Sequence, residues 1–303
     1  MSETASKLLM IRPVGFGFNP QTASNNHFMQ EQGRAEDVQP MALEEFDGMV
    51  QQLKAQGIPL LVIQDTPQPE TPDSIFPNNW FSTHTDGTLV LYPLFAPNRR
   101  AERKPVVIKR IMEEAGCIRI LDLSYWEKEE QFLESTGSMV LDRGNRTAYA
   151  CLSPRTSQAV FLDFCRKMDY SPMLFHGLDR NGYPIYHTNV MMSLGQSFAV
   201  ICREAISSPE EWRQVESSLL SHGKTIVEIS LSQMEHFAGN MLEVPNREGK
   251  RLLLLSESAG NVLTEAQLAI LSQADTLVPI GIPHIESVGG GSVRCMLAEL
   301  FSR

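Results

Sequence analysis

Three absences limit what this sequence can be. Its 303 residues carry 36 Asp and Glu against 26 Lys and Arg, a net charge of −10, whereas nucleic-acid binders show a basic excess. No uninterrupted apolar run approaches the roughly 18 residues of a membrane span. The N-terminus also lacks the basic and apolar regions of a secretory signal. We therefore expect a cytoplasmic protein that binds neither nucleic acid nor membrane.

Paired cysteines and metal-binding motifs are also missing. The five cysteines are scattered and contain no C-x-x-C, which argues against a disulfide framework or a structural zinc site and favours a reducing compartment. There is no H-E-x-x-H, Walker glycine loop or EF-hand pattern, and Gly15-Phe16-Gly17 lacks the third glycine of a dinucleotide fingerprint. We expect neither a metal nor a cofactor.

What the sequence does contain is an internal repeat. Apolar residues make up 42% of the chain, enough for a large core. A short phrase recurs roughly every 50 to 60 residues: a small or polar residue, then Asn or Ser, then apolar residues. Its Asn or Ser positions are Asn79, Ser138, Asn189, Asn240 and Ser292.

Strand-like and helix-like segments flank the phrases in a constant order. A strand-like run precedes each phrase, at 60–64, 118–123, 183–186, 225–230 and 276–280. A second run follows the first four, at 89–94, 147–152, 198–202 and 251–255. Helix-like segments come next, at about 99–116, 155–169, 209–222 and 264–274.

The two ends of the chain complement each other. The fifth phrase has no strand or helix after it, whereas the N-terminus supplies a strand at 8–12 and a helix near 40–56. Sharing one module between the ends is expected to close a ring and remove exposed sheet edges. We predict a single α/β domain over residues 1–303: a five-module α/β propeller with pseudo-fivefold symmetry, closed by the N-terminal strand and helix. The alternative is an open α/β sheet with a chance phrase.

In a ring the phrases meet at the axis, so chemistry is expected there. Cys295 is the only cysteine inside a phrase and follows a run of three glycines. His187 stands two residues before Asn189, and Glu134 has the corresponding place before the second phrase. Such a set offers a thiol nucleophile, an acid/base and an orienting carboxylate. Spacing alone does not establish the triad, and a buried structural cysteine is the alternative.

The chain resembles the guanidine-modifying (pentein) superfamily over essentially its whole length. This superfamily of α/β propellers includes arginine deiminases, dimethylarginine hydrolases and arginine:glycine amidinotransferases; the chain looks most like the bacterial citrulline-utilisation hydrolases. The motifs that carry the resemblance are Met10-Ile11-Arg12-Pro13, 73–79, 96–100, Glu134-x-x-Gly137, 152–156, His187-Thr188-Asn189 and 289–295.

The resemblance implies roles for individual residues. Cys295 would be the nucleophile, His187 the general acid/base and Glu134 its acidic partner. The substrate-binding residues would be Asp73 and Asn79 at the planar head group, Phe76, Asn189, Arg155 at the α-carboxylate, and Arg99 or Arg100 in an assisting role.

Two departures from the family bear on the substrate. Many relatives carry aspartates where this chain has Asn79 and Asn189. A guanidinium is a cation that only donates hydrogen bonds, whereas a neutral ureido group suits amide side chains. We therefore predict a cysteine-dependent C–N hydrolase that converts citrulline to ornithine, carbon dioxide and ammonia. The alternatives are an arginine or methylarginine deiminase or dimethylaminohydrolase, and an amidinotransferase.

A non-catalytic propeller binder is the alternative from a different class, although it has no need for Cys, His and Glu together. The expected partner is a small-molecule ureido or guanidino amino acid; a homodimer is left open. The glycine- and asparagine-rich segment 14–38 is a candidate lid over the site, with an ordinary surface loop as the alternative.

Overall fold

The computed structural model describes residues 5–31 and 35–302. The strands are β1 Lys7–Arg12, β2 Leu60–Gln64, β3 Phe81–Thr83, β4 Thr88–Leu91, β5 Arg119–Asp122, β6 Met139–Asp142, β7 Thr147–Leu152, β8 Ser171–His176, β9 Met192–Leu194, β10 Phe198–Ile201, β11 Thr225–Glu228, β12 Leu242–Pro245, β13 Arg251–Ser256, β14 Thr276–Ile280 and β15 Ala298–Leu300. The α-helices are α1 Pro20–Ala23, α2 Ala35–Ala55, α3 Pro105–Ala115, α4 Ser135–Ser138, α5 Gln158–Met168, α6 Thr188–Met191, α7 Pro209–Ser221, α8 Leu231–Met234, α9 Glu257–Val262, α10 Glu265–Ala274 and α11 Pro283–Gly289. Short 3-10 helices lie at Pro77–Asn79, Pro97–Glu102, Ser124–Glu129, Arg203–Ala205 and Val293–Met296.

The described strands form five separate three-stranded sheets, in the orders β15-β1-β2, β3-β4-β5, β6-β7-β8, β9-β10-β11 and β12-β13-β14. In every sheet the middle strand pairs antiparallel with one neighbour and parallel with the other. Each parallel pair is joined by a crossover that contains a helix, as parallel strands require. The repeated unit predicted from the sequence is therefore present five times.

The last module is completed by the first residues of the chain. β15 pairs antiparallel with β1, with Lys7 opposite Leu300 and Leu9 opposite Ala298. The predicted contribution of the N-terminal strand and helix is thus present. The prediction that no strand follows the fifth phrase is wrong, because β15 was too short to be recognised from its sequence.

Two other predictions about strands are also wrong. The outer strand of the third module is β8, not the run at 183–186, where Pro184 makes only an isolated bridge to Leu178. Proline lacks the N–H that a ladder needs, so a loop is the expected outcome. Sheet edges also remain, because hydrogen bonding stops after three strands in each module; most of β5 is exposed to solvent.

Helix boundaries follow their capping residues. The Thr264 side chain accepts from the Gln267 N–H while Gln267 binds back to the Thr264 backbone, a capping box that starts α10. Ser208 caps α7, and Gly116 ends α3 in the left-handed conformation, with φ of 63°. Within residues 5–31 and 35–302, no helix is both long and apolar enough to cross a bilayer.

Four of the five repeat phrases fold as short helical turns, and these turns contact one another between modules. The turn at Pro77–Asn79 contacts Val293–Met296 on one side and α4 on the other, and α4 contacts α6. Asn240 of the fourth phrase completes the series: it donates to the Asn189 carbonyl and accepts from the Arg294 N–H. Buried polar side chains from all five modules therefore lie close together.

Candidate functional site

Cys295 lies in the 3-10 turn at Val293–Met296, directly after the glycine-rich end of α11. Gly290 has φ of +61°, and a Cβ at Gly289 or Gly291 would lie within 3 Å of the Phe76 ring. Glycine is therefore required here for backbone conformation and for the close approach of Phe76. The Gly290 carbonyl accepts from Tyr186 Oη at 2.6 Å and Asn26 Nδ2 at 3.1 Å.

The Cys295 sulfur is buried and faces two amide groups. Asn240 Nδ2 lies 3.3 Å and Asn189 Nδ2 3.6 Å from Sγ. At the other four cysteines burial raises the thiol pKa, to about 12 for Cys151 and Cys165 and to about 11 for Cys117 and Cys202. Asn189 thus lies against the nucleophile candidate.

His187 and Glu134 form a buried pair, with Nε2 and Oε2 2.7 Å apart. Burial lowers the pKa of His187 to about 4, although the hydrogen bond to Glu134 opposes this shift. Burial would raise the pKa of Glu134, but Arg155, His187 and Arg99 outweigh it and hold that pKa well below its usual range. A charged carboxylate can only accept, so Nε2 carries the proton and Nδ1 is left as an acceptor.

Gly137 explains the Glu134-x-x-Gly137 motif. A Cβ at this position would lie 2.4 Å from Asn79 Nδ2 and 2.8 Å from His187 Nδ1. A side chain here would displace at least one of them. The acceptor nitrogen of His187 and the amide nitrogen of Asn79 therefore lie close to the same point.

Arg99 is fully buried and sets the orientation of Asn79. Its Nη1 donates to Asn79 Oδ1 at 2.7 Å, while Nε and Nη2 donate to the two Glu102 oxygens at 2.8 and 3.0 Å. Because a guanidinium only donates, Asn79 must present Oδ1 to it, and Asn79 Nδ2 has no partner. Burial raises the pKa of Glu102 to about 7, and the positive charge of Arg99 opposes this shift. Because Arg99 donates one hydrogen bond to each Glu102 oxygen, the ion pair favours the ionised carboxylate.

Arg155 and Asp73 hold the segment that contains α1. Arg155 Nε donates to Asn25 Oδ1 and Nη2 to the Thr22 carbonyl, both at 2.7 Å. Asp73 Oδ2 accepts from Asn19 Nδ2 at 2.7 Å and Thr22 Oγ1 at 3.1 Å, and Oδ1 is unpaired. The space left between these groups and Cys295 is ≈ 20 Å³, about enough for one water molecule. The described part of the predicted lid covers the site; residues 32–34 of that segment lie outside the described residues.

The structure brings the predicted residues into one pocket. Its lining includes Asp73, Phe76, Asn79, Arg99, Arg155, His187 and Cys295. Glu134 and Asn189 lie behind it, bonded to His187 and Cys295. Arg100 instead donates to the Leu94 carbonyl and is partly exposed, so Arg99 is the member of that pair that reaches the site.

Sequence reasoning missed three contributors to this pocket. Asn240 occupies the key position of the fourth phrase, so the repeat itself contained the signal. Glu102 follows Arg99 by three residues, the spacing of one helical turn. Tyr186 precedes His187, and nothing in the sequence distinguishes it from a core tyrosine. No group of three or more His, Cys, Asp or Glu that could hold a metal ion occurs in the part of the chain that the structure describes.

Known proteins provide an independent comparison. The model of the family described as N,N dimethylarginine dimethylhydrolase, eukaryotic, matches residues 12–302. No curated protein matches the sequence. The fold is similar to that of ArgZ, an arginine dihydrolase from the ornithine–ammonia cycle in cyanobacteria. The two chains share 16% sequence identity with a TM-score of 0.75, and the aligned region covers 98% of this chain and 41% of ArgZ.

Two further structures share the fold. Unliganded AgrE has 17% identity and a TM-score of 0.74, with 98% of this chain and 39% of AgrE covered. A dimethylarginine dimethylaminohydrolase in an adduct with 4-chloro-2-hydroxymethylpyridine has 13% identity and a TM-score of 0.67, with 97% and 99% covered. The chain thus spans about two fifths of ArgZ and AgrE, but 98% of the separate N-terminal domain of ArgZ.

The family match covers almost the whole chain, and the site contains the cysteine, histidine and glutamate that the resemblance requires. The family match agrees with the predicted cysteine-dependent C–N hydrolase, whereas a non-catalytic binder would not need these three residues together. The chain belongs to the N,N-dimethylarginine dimethylhydrolase family of the guanidine-modifying superfamily.

Proposed function

We propose that this protein hydrolyses a C–N bond in the head group of a guanidino amino acid, arginine or an N-methylated arginine, through a covalent intermediate on Cys295. The observation that carries the proposal is the enclosure of Cys295 with the His187–Glu134 pair and Arg155 in one buried pocket. We further propose that the five modules surround a common axis as a single propeller domain, with this pocket at one end.

The charge of the pocket favours a cationic head group. Two buried guanidinium groups, Arg99 and Arg155, face three buried carboxylates, Asp73, Glu102 and Glu134. With His187 neutral, the carboxylates outnumber the guanidinium groups by one, and a guanidinium head group would compensate that charge. The Glu102 carboxylate played no part in the sequence-based preference for a neutral substrate, which rested on Asn79 and Asn189.

Substrate entry requires the segment Asn19–Met29 to move, because the enclosed space cannot hold an amino acid. Its departure would free Arg155 from the Thr22 carbonyl and Asn25, and Asp73 from Asn19 and Thr22. Arg155 would then bind the substrate α-carboxylate with its guanidinium fork, and Asp73 would bind the guanidinium.

The chemistry follows from the protonation states. The Cys295 thiolate attacks the central guanidino carbon and forms a neutral tetrahedral adduct. His187 Nδ1 takes a proton from one nitrogen of the adduct and returns it to the nitrogen that leaves, and the C–N bond breaks. Glu134 stabilises the transient imidazolium. A water then loses a proton to Nδ1, its oxygen bonds to the carbon, the thiolate leaves, and the imidazolium releases the proton to solvent.

Relatives support a guanidino substrate. The family is described as acting on N,N-dimethylarginine, and ArgZ is described as an arginine dihydrolase. AgrE has been crystallised with L-arginine, and with ornithine and NAD⁺. None of these descriptions names citrulline, the substrate favoured by the sequence alone.

A ureido amino acid is the second candidate, supported by Asn79. Its Nδ2 is a buried donor without a partner, and only a substrate with an acceptor atom can satisfy it. A ureido carbonyl provides one. Attack on citrulline with loss of ornithine would leave a carbamoyl-enzyme that hydrolyses to carbon dioxide and ammonia.

A product-release assay tests the proposal. Purified protein is incubated with arginine, monomethyl- and dimethylarginine, agmatine and citrulline, and ammonia, methylamines, citrulline and ornithine are quantified. We expect turnover of at least one guanidino amino acid, loss of turnover in Cys295→Ala, and near-normal turnover in Cys117→Ala, the matched control. An amidinotransferase would show product only when a second amine is added. Full activity in Cys295→Ala would refute the mechanism.

A further inference from the structure

The Asn240 side chain lies closer to the Cys295 sulfur than the Asn189 side chain does. Its Nδ2 lies 3.3 Å from Sγ, and the residue is completely buried. Asn240 comes from the fourth module, whereas Cys295 comes from the fifth, so the contact joins two modules at the axis. The mechanism proposed above gives this residue no role.

Backbone groups fix the orientation of the Asn240 amide. Oδ1 accepts from the Arg294 N–H at 3.0 Å, and Nδ2 donates to the Asn189 carbonyl at 2.8 Å. A backbone N–H cannot accept and a carbonyl cannot donate, so the amide cannot be flipped without losing both bonds. The second hydrogen of Nδ2 is therefore directed to the sulfur.

The donors at the sulfur carry no charge. Asn240 and Asn189 both present Nδ2 to Sγ, while His187 directs its only proton to Glu134. A neutral imidazole without a free N–H cannot stabilise an anionic sulfur. Amide donors can, because a hydrogen bond to a charged acceptor is stronger than one to a neutral acceptor.

We propose that Asn240 is a catalytic residue whose side-chain N–H stabilises and directs the Cys295 thiolate, with Asn189 as a second donor. This inference rests on the proposed function, in which that thiolate attacks the guanidino carbon. The thiol proton passes to solvent before the substrate binds. The hydrogen bond from the Asn240 amide to the sulfur is then present in the free enzyme, and it forms again each time hydrolysis releases the thiolate.

Substitution of Asn240 separates this role from a structural one. Asn240→Ala removes the donor, and Asn240→Asp keeps an acceptor for the Arg294 N–H but places an anion beside the sulfur. We expect kcat to fall about 10- to 100-fold in Asn240→Ala, the scale of one hydrogen bond to a charged group, and further in Asn240→Asp. KM should change by less than about 3-fold, because the substrate-binding groups are untouched.

The rate of Cys295 alkylation by iodoacetamide is the second measurement. At pH 7 it should fall at least about 10-fold in Asn240→Ala, because only the thiolate reacts. At pH 10 hydroxide removes the thiol proton even when the Asn240 amide is absent. The alkylation rate of Asn240→Ala should therefore return to within about 3-fold of that of the unsubstituted protein. If Asn240→Ala fails to fold, Asn240→Ser replaces it, because serine supplies a hydroxyl donor and leaves a smaller cavity than alanine. Ser193→Ala removes a buried hydroxyl outside the pocket and should change neither rate.

The outcomes are distinct. If kcat and alkylation at pH 7 are unchanged in the Asn240 variants while Cys295→Ala is inactive, this inference is wrong and the proposed function stands. Equal loss of alkylation at pH 7 and pH 10 would mean a displaced sulfur, and would also overturn the inference. Full turnover in Cys295→Ala would instead remove the proposed function on which the inference rests.

Discussion

The two sides of the pocket are built from different chemistry. Around His187, hydrogen bonds involve full charges: Glu134 lies 2.7 Å from the imidazole and 3.5 Å from the Arg155 guanidinium. Around Cys295, the donors are the neutral amides of Asn240 and Asn189. One side can exchange protons, whereas the other can hold an anion without a competing cation.

This difference assigns proton exchange and stabilisation of the nucleophile to opposite sides of the pocket. The charged side fixes the tautomer of His187 and leaves Nδ1 free to exchange protons. On the other side, both side chains that donate to Sγ are neutral amides. Substitutions on the charged side should therefore leave the amide donors at Cys295 unchanged.

The largest effect is expected from Glu134→Gln. The amide cannot stabilise a protonated His187 and can present its N–H to Nε2, which would force the wrong tautomer, so kcat should fall roughly 10²- to 10⁴-fold. Glu211→Gln is the matched control, because Glu211 binds the exposed His176 at the same distance, 2.7 Å. Its kcat should stay within about 2-fold. A Glu134→Gln enzyme with normal kcat would contradict the assignment of the charged side.

Arg155→Lys should affect only substrates that carry an α-carboxylate. Lysine keeps the charge but loses the planar fork, and we expect kcat/KM for arginine to fall about 10- to 100-fold, mostly through KM. Agmatine, which has the same guanidino group without the carboxylate, is the internal control and should lose less than about 3-fold. Equal losses for both substrates would show that Arg155 acts on the head group instead.

Asn79→Asp tests the charge of the head group. The carboxylate would keep an acceptor for Arg99 Nη1 and replace the unpaired Nδ2 with a second anionic oxygen. We expect the ratio of kcat/KM for arginine to that for citrulline to rise about 10-fold. Asn189→Asp is not equivalent, because its carboxylate would lie beside the Cys295 sulfur. A fall in the arginine-to-citrulline ratio would mean that Asn79 does not face the head group.

The smallest effect concerns acid stability. Burial lowers the pKa of His187 to about 4, so between about pH 6.5 and 4 the unfolded chain binds a proton that the folded protein does not. The stability from this neutral histidine is complete above about pH 6.5 and is lost as the pH falls toward 4. The Tm of the unsubstituted protein should therefore fall a few degrees more between pH 7 and pH 5 than that of His187→Gln. His176→Gln, at an exposed site, should follow the unsubstituted protein.

Much of the fold could be predicted because each module carries the same short phrase at a nearly constant spacing. Regular spacing gave the modules, and the unmatched first strand at 8–12 identified the partner of the last module. The strands that directly follow the phrases have only three or four residues each. Such short strands gain their pairing from neighbours distant in sequence, so local pattern does not identify them.

The site was predicted in its members but not in its charge. Cys295, His187 and Glu134 are marked by the repeat and the family motifs. The orientation of Asn79 depends on Arg99, and the charge of the pocket depends on Glu102. These contacts join side chains across buried space, which sequence spacing does not encode. For that reason neither the charge of the pocket nor the known relatives support the preference for citrulline, which was drawn from two asparagines alone.

Trapping the covalent intermediate tests the central claim most directly. Arginine is mixed with the unsubstituted protein, and the protein is quenched in acid during turnover and mapped by mass spectrometry. We predict an adduct on the Cys295 peptide whose mass is that of arginine less ammonia if ammonia leaves first, or of an amidino group if ornithine leaves first. Turnover of arginine by the unsubstituted protein, with no adduct on Cys295 and with full activity in Cys295→Ala, would contradict the account.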